Sequence, residues 1–242
     1  MPSLRQIRLA TGLVLFSYVT LHFVNHALGN ISVGAMESGL AVQKLIWQSL
    51  PGTVILYASA LTHMSLGFWA LYQRRFRWTR LEATQLVLGL SIPFLLTEHV
   101  ILTRVALGEF GIDKGYAQEL LKFWVVSPGS GALQAVALLV VWIHGCLGVH
   151  FWLGLKPFYP RVKEPLLAAA VLLPTLALLG YYQGGERTLL LVQDPAWRAR
   201  ATPGPPPTEA RAGRPDRSRA APAPAAGRRL RAGARARADR TA

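Results

Sequence analysis

Five stretches of the chain are apolar and long enough to cross a bilayer as helices. They cover about residues 7–28, 53–72, 85–107, 132–155 and 165–182, and a helix needs about 20 apolar residues to span the hydrocarbon core. Residues 33–50 are too polar to span, and their apolar positions recur at helical spacing, which predicts a short helix on the outer surface. The pattern predicts an all-α membrane protein, with a five-transmembrane-helix bundle over residues 1–197.

Basic residues mark the ends of these helices that face the cytoplasm. Arg5 and Arg8 precede the first apolar stretch, and further basic clusters follow the second and the fourth. These clusters are Arg74, Arg75, Arg77 and Arg80, and then Lys156, Arg161 and Lys163. The positive-inside rule places these loops and the N-terminus in the cytoplasm. The near-neutral interval 108–131 is then expected to be an outer loop.

Residues 198–242 differ from the rest in composition. They contain twelve Arg against three acids, with no Lys and no aromatic residue, and so carry +9 of the formal net charge of +14. So little apolar bulk does not offset the entropy of ordering, which predicts a disordered tail. Three explanations compete: a basic tail that binds anionic lipid or nucleic acid, a plain extension, or out-of-frame translation of a GC-rich gene. The remaining +5 belongs to apolar blocks with charged loops, which is typical of a membrane protein rather than a nucleic-acid-binding surface.

Histidine is the residue that brings chemistry into the apolar stretches. All six histidines lie inside or at the rim of four stretches: His22, His26, His63, His99, His144 and His150. An ionisable residue inside a membrane is costly and is a functional hypothesis by default. The single cysteine, Cys146, forms neither a disulfide nor a thiolate metal site by itself. Imidazole is therefore the expected ligand chemistry of this chain.

The depth of each histidine follows from the helical rise of about 1.5 Å per residue. With the middle of each apolar stretch as zero, His22 and His99 lie roughly 5 to 6 Å toward the outside. His63 and His144 lie within about 2 Å of the midplane on the same scale. Two level pairs on four helices are what two b-type hemes need, because six-coordinate heme iron takes one imidazole on each face. The alternative is that each histidine is a buried residue that hydrogen-bonds between helices.

Two glycines lie close to the deeper pair of histidines. Gly67 follows His63 by four residues, and Gly148 follows His144 by four. A small residue one turn from a ligand leaves room for a flat macrocycle against the helix. Gly67 and Gly148 are therefore predicted to be cofactor-binding positions.

Four short motifs on the first four stretches carry a family resemblance. They are LHFVNH (21–26), HxxxG (63–67), EHVILTR (98–104) and HxxxG (144–148). Together they resemble the five-helix cytochrome b anchor of succinate dehydrogenases and fumarate reductases. The resemblance implies that His22 and His99 are the axial ligands of an outer heme b, and that His63 and His144 are those of an inner heme b.

A longer similarity covers residues 8 to about 197 and includes RLATGLVLF, NHALG, SLPGTVILY, IPFLLTEHV and WIHGCLGVHFW. These segments resemble the N-terminal membrane module of bacterial class III adenylate and guanylate cyclases, which implies a location in the bacterial inner membrane. In that family a sixth helix, a ferredoxin-like 2Fe–2S domain and a cytoplasmic cyclase domain follow the anchor. No cysteine cluster and no paired metal-binding aspartates follow Trp197. Neither an iron–sulfur centre nor cyclase activity is therefore assigned to this chain.

Four residues beside the pairs are secondary candidates. Glu98 either takes up protons beside a quinone or heme, or pairs near the outer interface. Arg104 either anchors its helix or binds a heme propionate. His26 and His150 either bond to a propionate or a quinone carbonyl, or are interface residues.

Three hypotheses for function remain open at this point. The first is a redox-sensing or electron-transfer module that binds two b-type hemes and equilibrates with quinone. The second is the cytochrome b anchor subunit of a quinone oxidoreductase whose flavin and iron–sulfur subunits are separate chains. The third is a heme-free structural anchor. The expected partners are membrane lipid, quinone and, in a homodimer, a second copy of the chain, whereas nucleic acid is not expected.

Overall fold

The computed structural model describes residues 3–73 and 78–201, and these residues form helices and no strand. Their α-helices are α1 (Leu4–Ala27), α2 (Val33–Trp47), α3 (Leu50–Gln73), α4 (Arg80–Val100), α5 (Ala106–Phe110), α6 (Tyr116–Leu121), α7 (Pro128–Leu153), α8 (Tyr159–Leu191) and α9 (Pro195–Ala201). A 3-10 turn (Leu28–Asn30) follows α1, and π-helical turns follow α4 (Ile101–Val105) and α6 (Lys122–Val126).

Five helical segments are long and apolar enough to cross a membrane, as the hydrophobic pattern predicts. They are α1, α3, α4 with its continuation to Phe110, α7 and α8, and they contain 24 to 33 residues each. Their outward faces carry large exposed apolar side chains, such as Phe94 at 80 % exposure. An apolar outer face contacts lipid favourably, so the fold is compatible with a multi-pass membrane protein.

α1 and α4, whose backbone carbonyls contact His63 and His144, begin in the same way. Ser3 caps α1 and exchanges hydrogen bonds with Gln6, and Thr79 caps α4 and does the same with Glu82. Such a capping box satisfies two backbone or side-chain donors at a helix start. Both helices therefore have fixed first turns, and the second turn of each contributes a backbone carbonyl to the site described below.

The helices pack as two groups joined through α1, α7 and α8. α1 packs against α3 and α8, and α4 packs along α7, whereas α3 and α4 share no substantial contact. α1, α7 and α8 meet around Phe23, Leu138, Trp142 and Ala177. α8 crosses the end of α1 at backbone contact: a Cβ at Gly180 would lie 2.1 Å from the His26 carbonyl oxygen. The space between the two groups becomes the central cavity.

A helical cap closes the end of the bundle opposite the N-terminus, which is called the outer end because the positive-inside rule predicts that it faces outward. α2 forms the predicted surface helix, and α6 packs beside it around buried Met36 and Leu120. Lys44 of α2 is 2.5 Å from the Asp113 carboxylate and donates to the Lys114 carbonyl. The interval 108–131, predicted as an outer loop, connects the third and fourth long apolar helices and contains α6, whose apolar side chains are buried against α2 and α8.

The C-terminal boundary lies slightly later than the composition suggested. α9 continues through Ala201, whose side chain is buried, although the tail was expected to begin at residue 198. The rest of the tail prediction concerns residues 202–242, which lie outside the described residues.

Candidate cofactor site within the bundle

One large cavity lies inside the helix bundle. Its volume is about 1630 Å³, which exceeds the roughly 300–1,000 Å³ of an ordinary small-molecule pocket. Five of the six histidines line it: His22, His26, His63, His99 and His144. The cavity therefore has room for more than one ligand and places most of the imidazoles around them.

The deeper histidines face one another across this cavity. The ring centroids of His63 on α3 and His144 on α7 are 6.3 Å apart, and the ring planes are nearly perpendicular, at 88°. His63 Nδ1 lies 3.0 Å from the Arg8 carbonyl oxygen, and His144 Nδ1 lies 3.0 Å from that of Gln85. A carbonyl only accepts, so each Nδ1 carries the proton and donates. Each Nε2 is left as a lone-pair donor to a metal.

Two glycines that the sequence analysis did not single out support these rings. A Cβ at Gly12 would lie 2.8 Å from His63 Cε1, and a Cβ at Gly89 would lie 2.6 Å from His144 Cε1. Each glycine follows the residue whose carbonyl accepts the hydrogen bond by four positions, as Arg8–Gly12 on α1 and Gln85–Gly89 on α4. α1, which packs against α3, and α4, which packs against α7, thus present the same carbonyl-and-glycine seat to an imidazole.

The glycines predicted as cofactor-binding positions also line the cavity. A Cβ at Gly67 would meet no atom within 4 Å, so this turn of α3 leaves open space beside His63. A Cβ at Gly148 would lie 3.3 Å from Gln85 Nε2, so the Gln85 side chain borders the space beside α7. Of these two positions, Gly67 therefore has the more open surroundings.

The outer histidines form a less regular group. The ring centroids of His22 on α1 and His99 on α4 are 5.9 Å apart with a 59° tilt. His26, one turn beyond His22, has its ring centroid 4.7 Å from that of His22. The His26 ring also contacts the rings of Tyr116 and Tyr181 edge-on. Three imidazoles therefore lie at the outer level, whereas the inner level has two.

Several buried polar atoms at the outer end have no hydrogen-bond partner among the described residues. Those on side chains that line the cavity include His22 Nδ1, His26 Nδ1, Gln43 Oε1, Trp47 Nε1 and the Tyr116 hydroxyl. Burying a polar group without a partner is costly, and proteins retain few such groups without a reason. This concentration is typical of a site whose side chains bond to a ligand or to ordered water.

The secondary candidates separate clearly by position. Arg104 lines the cavity within a π-helical turn, and its Nη2 is 3.5 Å from the Trp47 carbonyl oxygen. Such turns are frequent at functional sites. Glu98 contacts Lys122 and accepts a hydrogen bond of 3.2 Å from the Ser130 hydroxyl. Of the two roles predicted for Glu98, proton uptake and pairing, these contacts correspond to pairing.

His150 lies apart from the other five histidines. It is not part of the cavity wall, and its Nδ1 is 2.6 Å from the Tyr159 hydroxyl. The edge-on contact between its ring and that of Tyr159 ties α7 to the start of α8. The structure therefore gives His150 a packing contact and no place beside the paired rings.

The spacing of both pairs can be compared with what an axially ligated iron requires. A metal–imidazole bond is roughly 2 Å long and a ring centroid lies about 1 Å beyond its nitrogen, so two axial imidazoles place their centroids roughly 6 Å apart. The observed separations are 6.3 Å for the inner pair and 5.9 Å for the outer pair. Neutral imidazole is also a usual heme ligand. The ring separations of both histidine pairs therefore fit a heme iron that is ligated on both faces.

A bare metal ion fits this cavity less well. Within residues 3–73 and 78–201, no three His, Cys, Asp or Glu side chains gather as a metal-ion site. A heme needs only two protein ligands, since the macrocycle provides the others.

No family model, curated protein or solved structure matches this chain.

Proposed function

We propose that this chain is a membrane module that binds two b-type hemes and carries electrons between them. His63 and His144 are the axial ligands of the inner heme, and His22 and His99 are those of the outer heme. The observation that carries the proposal is the inner pair, in which two rings about 6 Å apart, as axial ligation requires, both have Nδ1 held by a backbone carbonyl. Metal-ligating histidines usually hold their second nitrogen in this way.

The surrounding residues have definite tasks in this proposal. The carbonyls of Arg8 and Gln85 fix the tautomer, so that Nε2 is the ligating nitrogen on both sides. Gly67 leaves the side of α3 open for a flat ring system. Arg104 is the cation in the outer wall that pairs with a carboxylate of the bound group. Heme itself supplies reversible one-electron chemistry when bound.

The two levels lie at different depths along the same bundle, and this suits electron transfer across a membrane. Quinone is the proposed lipid-soluble partner that exchanges electrons with the outer or inner level. The resemblance to the membrane module of class III cyclases supports a redox-sensing role, in which the electron occupancy of the bundle is reported to a cytoplasmic domain. The positions of the basic loops support a cytoplasmic N-terminus, and the resemblance to the cyclase membrane module supports a bacterial inner membrane.

The deciding experiment is a reduced-minus-oxidised spectrum of the purified full chain, with heme quantified as its pyridine adduct. We expect a b-type α band and about two hemes per chain, one for each bis-histidine pair. The matched control is His150→Ala, which removes a histidine outside the cavity and is expected to retain both hemes. If the protein is expressed with added heme precursor and the purified chain shows no b-type band, the proposal is wrong. The histidines would then be buried residues that hydrogen-bond between helices.

A further inference from the structure

Glu119 of α6 is a buried acid at the outer end of the cavity. Its side chain is 15 % exposed and lines the cavity wall. Both carboxylate oxygens are buried and have no hydrogen-bond partner among the described residues. Lys114 forms a long ion pair with Glu119, with 3.6 Å between Nζ and Oε1, which is beyond hydrogen-bonding distance. Glu119 is therefore neither fully paired nor solvated.

Two other acids near the cap have hydrogen-bond donors that Glu119 lacks within residues 3–73 and 78–201. Glu98 contacts Lys122 and accepts a hydrogen bond from Ser130. Glu37 accepts a hydrogen bond of 2.8 Å from the Ala117 backbone N–H. Hydrogen bonds of this kind favour the charged form of a carboxylate. Both carboxylate oxygens of Glu119 lack such a donor among the described residues.

The charges around Glu119 oppose one another. Burial raises the pKa of Glu119 above its ordinary value, while the ammonium groups of Lys114 and Lys122 act in the other direction. The ionisable groups on the elements packed around α6 include Glu37 and Lys44 on α2, Asp113 and Lys114 before it, Lys122 after it, Tyr181, Glu186 and Arg187 on α8, and Arg198 on α9. The Glu98 carboxylate on α4 also raises the pKa of Glu119. A change of charge in the cavity therefore adds to the opposing effects of burial and of the lysines on this carboxyl.

Polar side chains connect Glu119 with the outer histidines. Tyr116 precedes Glu119 by three residues on α6, and its buried hydroxyl has no partner among the described residues. The Tyr116 ring centroid is 5.4 Å from that of His26, and the His26 ring centroid is 4.7 Å from that of His22. All four side chains line the same cavity. Charge at the outer pair and charge at Glu119 thus share one weakly screened space.

We propose that Glu119 is the proton-binding group of the outer end of the cavity. It takes a proton from the outer aqueous side when an electron enters the outer site, and it releases that proton when the electron leaves. The electron comes from an external one-electron donor, and the proton stays on the carboxyl, so no bond other than O–H forms or breaks. The electron-linked part of this inference rests on the proposed heme function, whereas proton binding by Glu119 does not.

The test compares the wild type with Glu119→Gln and with the control Glu37→Gln, in full-length protein. Midpoint potentials of both spectral components are measured from pH 6 to pH 9 with a chemical reductant. In the wild type and the control, the electron affinity of the outer component should fall as pH rises, by up to about tenfold per pH unit. In Glu119→Gln this slope should be lost, and the inner component should be flat in all three proteins.

A second measurement does not depend on heme. The infrared C=O band of a protonated carboxylic acid is recorded over the same pH range in the same three proteins. We expect a band that titrates in the wild type and in Glu37→Gln and is missing in Glu119→Gln. Identical bands in all three proteins would overturn the inference, as would an unchanged slope in Glu119→Gln. A Glu119-dependent band in protein that binds no heme would overturn only the proposed heme function and the electron-linked step.

Discussion

The inner and outer ends of the cavity use the same residue type in different surroundings. At the inner end, each imidazole is held by a backbone carbonyl and fits against a glycine of a neighbouring helix. At the outer end, His22 Nδ1 has no such partner among the described residues, and His26 crowds the same level. The inner site is preorganised by backbone, whereas the outer site is built from side chains that need something else to bond with.

The inner end is suited to holding a ligand in one geometry, and the outer end is suited to responding to its surroundings. A ring fixed by a carbonyl cannot rotate without losing a hydrogen bond, so the inner pair has one geometry. At the outer end, Gln43, Trp47 and Tyr116 have buried polar atoms without a partner among the described residues, which costs free energy of folding. These atoms are free to bond with a ligand. We therefore expect the inner end to hold its cofactor rigidly, and the outer end to respond to charge, protons and bound molecules.

The largest expected effect separates the two ends by removing one ligand from each. His144→Ala should lose the inner heme and His99→Ala the outer heme, and each should lower heme content from about two to about one per chain. Each substitution removes the imidazole with which that helix, α7 or α4, would ligate the iron. Redox difference spectra of the two variants should be complementary. Loss of both hemes, or of neither, in either variant would show that the pairs are not independent sites.

A smaller effect should come from the glycine seat of the inner pair. Gly89→Ala places a Cβ where only 2.6 Å separates it from His144 Cε1, so the ring must shift away from the Gln85 carbonyl. Weakening the support of a metal ligand typically costs about 10- to 100-fold in affinity. Heme titration of the inner component measures this change.

The control for this substitution is Gly108→Ala, because a Cβ at Gly108 would meet no atom within 4 Å. It should leave the affinity of both components unchanged. Equal heme affinities in Gly89→Ala and Gly108→Ala would show that the carbonyl-and-glycine seat does not position His144.

The smallest effect concerns the unpaired polar atoms of the outer end. Gln43→Met removes a buried amide whose Oε1 has no partner among the described residues. Without ligand, the variant should gain about 1 kcal/mol in free energy of unfolding, because the penalty of an unsatisfied polar group disappears. Heme affinity of the outer component should fall severalfold, with the inner component unchanged.

Thermal unfolding in detergent and heme titration measure these two quantities, and the exposed Gln193→Met serves as the control. A Gln43→Met protein that is destabilised and retains full outer affinity would mean that the amide has a structural partner instead of a ligand-binding role.

The five long apolar helices and the order of the histidines along them follow from the amino-acid sequence alone. Length and continuous apolarity decide whether a segment crosses a membrane, and both are local properties. The depth of a residue along a helix is equally local, since it follows from the rise per residue. For this reason the expected neighbours, His22 with His99 and His63 with His144, are the rings that the structure brings together.

How those rings are held depends on contacts between helices that are far apart in the sequence. The carbonyl contacts of His63 and His144 join residues 55 and 59 positions apart, and they depend on the rotation of each helix about its axis. The cap over the outer end and the buried polar atoms of Gln43 and Glu119 depend on α2 and α6 folding onto the bundle. Helix rotation and docking are set by packing among distant side chains, which periodicity along one segment does not encode.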